Sequence, residues 1–181
     1  MKNKVAIITG ASTGIGKHIS IELSKNDYTV ILISRNINKL NNVKDIIDNL
    51  GKKCIIIESD ISKESSIECV FKELSSFNNI DILINNAGLG IFNKIDNTSY
   101  QDWDIQMNTN LKASFMMTKN IVPLMKKKNS GKIVFINSVA GLKGYPYSSA
   151  YVASKYGLRG FASSIREELR EYNIKVISIH P

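Results

Sequence analysis

The stretch Val5-Ala6-Ile7-Ile8-Thr9-Gly10-Ala11-Ser12-Thr13-Gly14-Ile15-Gly16-Lys17-His18-Ile19-Ser20-Ile21-Glu22-Leu23 decides the fold. Its first residues form a short apolar run of the kind that makes a buried strand, and those from Ile15 onward repeat at helical spacing. Between them Gly10, Gly14 and Gly16 lack a Cβ, so the chain can turn sharply and its N–H groups can approach an anion closely. A strand, a glycine-rich turn and a helix in that order put the positive end of a helix dipole at the turn, where a pyrophosphate would sit. Gly10, Ser12, Thr13, Gly14, Ile15 and Gly16 are therefore candidate cofactor contacts. Glycines in this number also suit a purely structural tight turn; the strand before them and the helix after them point to the dinucleotide.

Outward from this stretch, short apolar runs alternate with helix-period segments along the whole chain, which is the mark of βαβ units and a parallel sheet. The runs predict strands over Val5–Thr9, Val30–Ser34, Cys54–Ser59, Ile80–Asn85, Lys132–Asn137 and Lys175–Ile179. Helices are predicted over Ile15–Lys25, Ile37–Leu50, Lys63–Phe77, Tyr100–Lys127 and Ala150–Tyr172. Right-handed crossovers then give a doubly wound α/β sheet in the order 3-2-1-4-5-6, with ligands expected where the strand order reverses, beside the first strand. The 181 residues contain no linker composition, so a single domain over 1–181 is expected.

Composition narrows the function. No apolar run approaches the roughly 20 residues that span a bilayer, and the run after the N-terminal lysines stops too early for a signal peptide, so a cytoplasmic protein without membrane association is expected. Cys54 and Cys69 form no C-x-x-C pair and read as buried free thiols, while His18 and His180 have no partner at metal-ligand spacing, so no metal is expected. The net charge of +8 suits an anionic cofactor or an acidic partner. Its lysines are scattered apart from Lys126-Lys127-Lys128, which reads as a solvated helix end, and no basic stripe interleaved with aromatics points to nucleic acid.

The turn's spacing, T-G-x-x-x-G-x-G, opens a series of motifs. Asn85-Asn86-Ala87-Gly88 follows the fourth strand, Asn110-Leu111-Lys112-Ala113-Ser114-Phe115 lies in the long helical segment, Ser138 follows the fifth strand, and Tyr151-Val152-Ala153-Ser154-Lys155 is a Y-x-x-x-K motif. In this order the motifs resemble the short-chain dehydrogenase/reductase family over essentially the whole chain. The resemblance implies a catalytic set of Asn110, Ser138, Tyr151 and Lys155; Asn108 stands nearby, but Leu111 and Phe115 favour Asn110. It also implies cofactor contacts at Asp60 and Ile61 beside the adenine, at Asn86, Ala87 and Gly88, at Tyr151 and Lys155, and at Pro181, where relatives begin a loop that meets the nicotinamide.

The chemistry fits these residue types. Carbonyl reduction builds negative charge on oxygen, which calls for a proton donor and for groups that hold the oxygen. Tyr151 would be the general acid or base; Lys155, four residues on along the same helix face, would favour its phenolate and hold the nicotinamide ribose. Ser138 would bind the substrate oxygen, and Asn110 would anchor a water that relays protons to solvent. Relatives that prefer NAD usually end the second strand with an acidic residue, whereas here Ser34 is followed by Arg35, a guanidinium suited to a 2′-phosphate, so NADP(H) is expected over NAD(H).

The activity implied is hydride transfer between NADP(H) and a small-molecule carbonyl or alcohol. A 3-oxoacyl-carrier-protein reductase and a non-catalytic NADP(H)-binding module are the alternatives. Relatives continue past the position of Pro181 with a lid and a seventh strand, so the chain is expected to be C-terminally incomplete relative to the family. A homo-oligomer is also implied, through the two long helical segments, the first of which carries Phe115, Met116, Met117, Leu124 and Met125.

Overall fold

Alternating side chains on each strand face two different layers, and this alternation builds the core on both sides of one sheet. The computed structural model describes residues 4–181; residues 1–3, with Lys2 of the N-terminal lysines, lie outside the described residues. The strands are β1 (Lys4–Thr9), β2 (Tyr28–Ser34), β3 (Cys54–Glu58), β4 (Ile82–Asn85), β5 (Gly131–Ile136) and β6 (Ile174–Ile179). All neighbours run parallel, in the order β3-β2-β1-β4-β5-β6. This is the doubly wound Rossmann-like order read from the sequence.

Ala6, Ile8, Val30 and Leu32 pack with Leu40, Val43 and Ile47 of α2 (Ile37–Asn49) on one side, which α1 (Gly14–Lys25) also covers. On the other side Ile7, Ile31, Leu83 and Phe135 pack with α3 (Glu64–Glu73), α5 (Ala113–Lys128) and α6 (Ser149–Leu169). Each fully buried Ile or Leu of these layers contributes about 1.5–3 kcal/mol.

Three details differ from the sequence reading. The fourth strand starts at Ile82 because the Asp81 carboxylate takes the Val5 N–H at 2.8 Å and its carbonyl takes the Lys132 N–H at 2.9 Å, closing the sheet's lower end. The segment predicted as one helix over Tyr100–Lys127 is α4 (Tyr100–Met107), a π turn over Asn108–Lys112, and α5. Cys54 is only half-buried and Cys69 is exposed, so the expectation of two buried thiols does not hold: α3 turns Cys69 away from the face that carries Ile67 and Val70.

The sheet positions the site. After β1 and β2 the chain crosses to the α1–α2 side, and after β4 and β5 to the α5–α6 side, so a crevice opens between the upper ends of β1 and β4.

Candidate active site

The glycines of the first turn are required by close approach. Gly10 sits at φ +63, and a Cβ there would lie 2.8 Å from the Ala87 Cα; a Cβ on Gly16 would lie 2.4 Å from the Gly10 carbonyl oxygen. Buried Thr9 explains how the turn reaches the segment after β4. Its Oγ1 accepts the N–H groups of Asn86 at 3.0 Å and Ala87 at 3.1 Å, and donates to the Ile84 carbonyl at 3.3 Å. Asn86 Nδ2 returns two bonds, to the carbonyls of Thr9 at 2.9 Å and Gly10 at 3.1 Å. The first turn of α1 holds no acidic residue, and its N-cap Thr13 makes no side-chain cap bond. The first N–H groups of α1 are thus left to meet an anion.

A cleft of about 470 Å³ runs from this turn across the sheet. It is lined by Gly10, Ser12, Thr13 and Ile15 of the turn, Ser34 at the end of β2 and Arg35 after it, Asp60 and Ile61 after β3, Asn86, Ala87 and Gly88 after β4, and Tyr151 and Lys155 of α6. Ser12 and Ser34 share one hydroxyl hydrogen bond at 2.8 Å, so one of their two protons remains free to donate. Arg35 is exposed and makes no hydrogen bond or ion pair among the described residues, which leaves an unpaired guanidinium at this end. Asp60 Oδ1 accepts from the N–H and the hydroxyl of Ser62, leaving Oδ2 available.

At the other end Tyr151 is half-buried, and Phe92 meets its ring edge-on with centroids 5.6 Å apart at 71°. Lys155 is 4% exposed; its Nζ donates to the Ile136 carbonyl at 3.1 Å and lies 5.7 Å from the centre of the Tyr151 ring. Burial, which disfavours the charged amine, pushes Lys155 down to about 8. A lysine held there gives up its proton more readily than a free one.

The family model described as short chain dehydrogenase matches residues 4–181. The chain belongs to the short-chain dehydrogenase family. It is 31% identical over 182 residues to an uncharacterized oxidoreductase of Staphylococcus epidermidis, covering 100% of this chain and 78% of that protein. It is 33% identical over 181 residues to a 3-oxoacyl-[acyl-carrier-protein] reductase of the same species, covering 99% of this chain and 74% of that protein. A metagenomic short-chain oxidoreductase solved in complex with NADP superposes with a TM-score of 0.95 at 33% identity, over 98% of this chain and 81% of that one. The chain is thus an NAD(P)-dependent oxidoreductase of the short-chain dehydrogenase type.

Within this short-chain dehydrogenase, five sequence-derived sites fall outside the cleft wall. Gly14 is exposed at φ +54 at the start of α1, with open space where a Cβ would stand. Gly16 lies buried beneath the turn, where it makes room for the Gly10 carbonyl. Asn110 is fully buried in the π turn: Oδ1 accepts the Leu89 N–H at 2.8 Å, and Nδ2 donates to the Leu89 carbonyl at 2.8 Å and to Ser154 Oγ at 2.9 Å. Both amide protons are spent, so a water held by Asn110 has to use its remaining lone pairs. Ser138 is half-buried beside lining residue Asn137, and its Oγ accepts the Ala140 N–H at 3.1 Å. Pro181 does not line the cleft. The β6 register carries it past β5, where it is exposed and its carbonyl accepts the Val139 N–H at 3.2 Å.

The structure adds residues that sequence reading missed. Thr9 was legible as the first letter of the glycine motif. Phe92 carried no such signal: its ring rests on Gly90, whose Cβ would fall 2.6 Å from Phe92 Cζ, and Asn93 then donates its N–H to the Tyr147 carbonyl at 2.8 Å. Tyr147 holds φ +61, a conformation disfavoured for a bulky residue, four positions before Tyr151.

Proposed function

We propose that the chain is an NADP(H)-preferring oxidoreductase that interconverts a small carbonyl compound and its alcohol, with Tyr151 as general acid or base. The observation that carries this reading is one continuous cleft with an unpaired Arg35 at one end and the Tyr151–Lys155 pair at the other. The donor set suits an anionic dinucleotide: a turn whose glycines leave no Cβ in the way, a helix start without acidic residues, and a free guanidinium. The solved relative's complex with NADP supports the same assignment.

When bound, the nicotinamide supplies or takes up the hydride. Gly10, Thr13 and Ile15 line the wall at the start of α1 and would receive the pyrophosphate. Arg35 and the free proton of the Ser12–Ser34 pair would receive a 2′-phosphate. Tyr151 would hand its phenolic proton to the developing alkoxide and recover it in the reverse direction, with Ser138 donating its own hydroxyl proton to the same oxygen. Lys155, beneath the Tyr151 ring, would stabilise the phenolate and hold the ribose. Asn110 would hold Leu89 and α6 in place and offer a lone pair to a relay water.

The test is cofactor titration with turnover. NADPH is expected to bind about 10- to 100-fold more tightly than NADH, the size of a charge-assisted hydrogen bond, and Arg35→Asp should reverse the order. Equal affinities would end the NADP(H) assignment. Tyr151→Phe should lower carbonyl-dependent NADPH oxidation by about 10²–10⁴-fold with NADPH affinity retained; a variant near the wild-type rate would rule out Tyr151.

A narrower reading, reduction of a 3-oxoacyl group on an acidic carrier protein, is favoured by the similarity to the Staphylococcus epidermidis reductase and by the net charge of +8. It requires a salt-sensitive preference for carrier-bound over free thioester. A homo-oligomer paired through α5 and α6 is also part of this proposal. Met116, Met117 and Met125 belong to the core, but Phe115 stands 43% exposed against Phe161.

A further inference from the structure

Beyond the ladder of β5 and β6 the two chains stay in register. Asn137 donates its N–H to the Ile179 carbonyl at 2.8 Å, and Val139 donates its N–H to the Pro181 carbonyl at 3.2 Å. Between these two bonds, His180 Nδ1 reaches the Ser138 carbonyl at 2.9 Å. Its other nitrogen, Nε2, lies 3.0 Å from Ser178 Oγ, which accepts from Asn137 Nδ2 at 3.4 Å. We infer that His180 is a positioning residue that fixes Ser138 for the reacting oxygen. The inference rests on the role proposed above for Ser138.

The chemistry of the partners orients the network. A carbonyl oxygen only accepts, so His180 carries its proton on Nδ1. In that tautomer Nε2 accepts the Ser178 hydroxyl proton, and the Ser178 oxygen takes the Asn137 amide proton. Each link of this network pairs one donor with one acceptor, and it ends on the backbone of Ser138; Asn137 Oδ1, at its far end, is buried without a partner among the described residues.

Two further contacts show what the arrangement achieves. Ser138 Oγ accepts the Ala140 N–H, so its own proton is the one left to donate away from the backbone. The Ser138 carbonyl already accepts the Gly141 N–H at 2.9 Å. Removing His180 therefore orphans no buried carbonyl; it takes away one of three bonds on the Ser138–Val139 peptide and loosens its orientation, the Gly141 and Pro181 bonds remaining. A small misplacement of a hydrogen-bond donor at a reacting centre lowers the rate without disturbing the distant cofactor contacts. The amino-acid sequence hides this link, because His180 and Ser138 stand 42 residues apart.

The test compares His180→Ala, His180→Asn and His180→Gln with Ser138→Ala, all in the full chain. Carbonyl turnover is measured with saturating NADPH, and NADPH affinity by fluorescence titration. His180→Ala is expected to lower kcat about tenfold, with NADPH affinity unchanged. Asn places its amide nitrogen near the position of Nδ1 and is expected to restore most of the rate; Gln reaches only the Nε2 position and is not. An unchanged kcat in His180→Ala, rescue by Gln equal to rescue by Asn, or a loss of NADPH affinity in step with kcat would each overturn the inference. An unchanged kcat in Ser138→Ala instead removes the role proposed for Ser138 itself. A readout independent of turnover is the imidazole tautomer by long-range ¹⁵N–¹H correlation. His180 should show the Nδ1–H form, and an Nε2–H form would overturn the geometry whatever the activity.

Discussion

Lys155→Met should stabilise the protein while removing a residue proposed to be essential for its activity. The wild-type amine is buried, and its fall from 10.5 to about 8 corresponds to about 3 kcal/mol of unfavourable free energy in the charged form. Met has a similar length and no charge, but it loses the bond to the Ile136 carbonyl, worth about 1 kcal/mol. At pH 7, below both the folded and the unfolded value, the variant should therefore be more stable by about 2 kcal/mol, or roughly 4–8 °C in Tm for a chain of this size. The sign changes with pH. Between about 8 and 10.5 the unfolded state binds the proton that the folded state has released, so wild-type stability rises with pH through this window. Lys155→Met lacks that contribution, so its advantage should shrink to nothing near pH 9.5, about 1.5 units above the folded value at about 1.4 kcal/mol per unit, and reverse above it. Urea unfolding of both proteins at pH 7, 8, 9 and 10 gives the difference directly, with all other titrating groups cancelling. A variant less stable at pH 7, or a difference independent of pH, would refute the reasoning.

Gly16→Ala puts a Cβ 2.4 Å from the Gly10 carbonyl oxygen, so α1 has to shift; a loss of about 1–3 kcal/mol in urea unfolding is expected, together with weakened NADPH binding. Asn110→Ala leaves the Leu89 N–H and carbonyl without their side-chain partner and should cost about 2–4 kcal/mol, a loss that a melting curve would show. Phe115→Lys should shift sedimentation from oligomer to monomer at micromolar concentration; a monomeric wild type would remove the oligomer proposal. Phe92→Ala, which removes the ring packed against Tyr151, should change KM for ring-bearing ketones more than for short aliphatic aldehydes, as measured by initial rates.

The sheet order was legible because each strand is an apolar run bounded by turn residues, and a parallel sheet leaves few other ways to connect six of them. The long segment from Tyr100 was not legible in detail. Its spacing is helical throughout, and a π turn changes the ladder by one residue without any required residue type, so the inward aim of Asn110 appears only in three dimensions. The glycine turn, Arg35, Tyr151 and Lys155 were readable because their chemistry depends on local spacing. Phe92, Tyr147 and the His180 link were not, because each depends on a contact between segments distant in sequence. Pro181 stands apart from the cleft wall for a related reason: its motif names the loop, and the β5–β6 register sets where that residue lies.

The stitch between Thr9, Asn86 and the Gly10 carbonyl also governs how a nucleotide arrives. Five hydrogen bonds, each between two protein groups, join the upper ends of β1 and β4 and the turns that follow them at the floor of the cleft. Little chain ordering is then left for the moment of binding, so association should proceed at the encounter rate of two preformed surfaces rather than wait for a loop to close. The exposed guanidinium of Arg35 would make that encounter slower as ionic strength rises. Selectivity between the two dinucleotides would then reside largely in how slowly each one leaves.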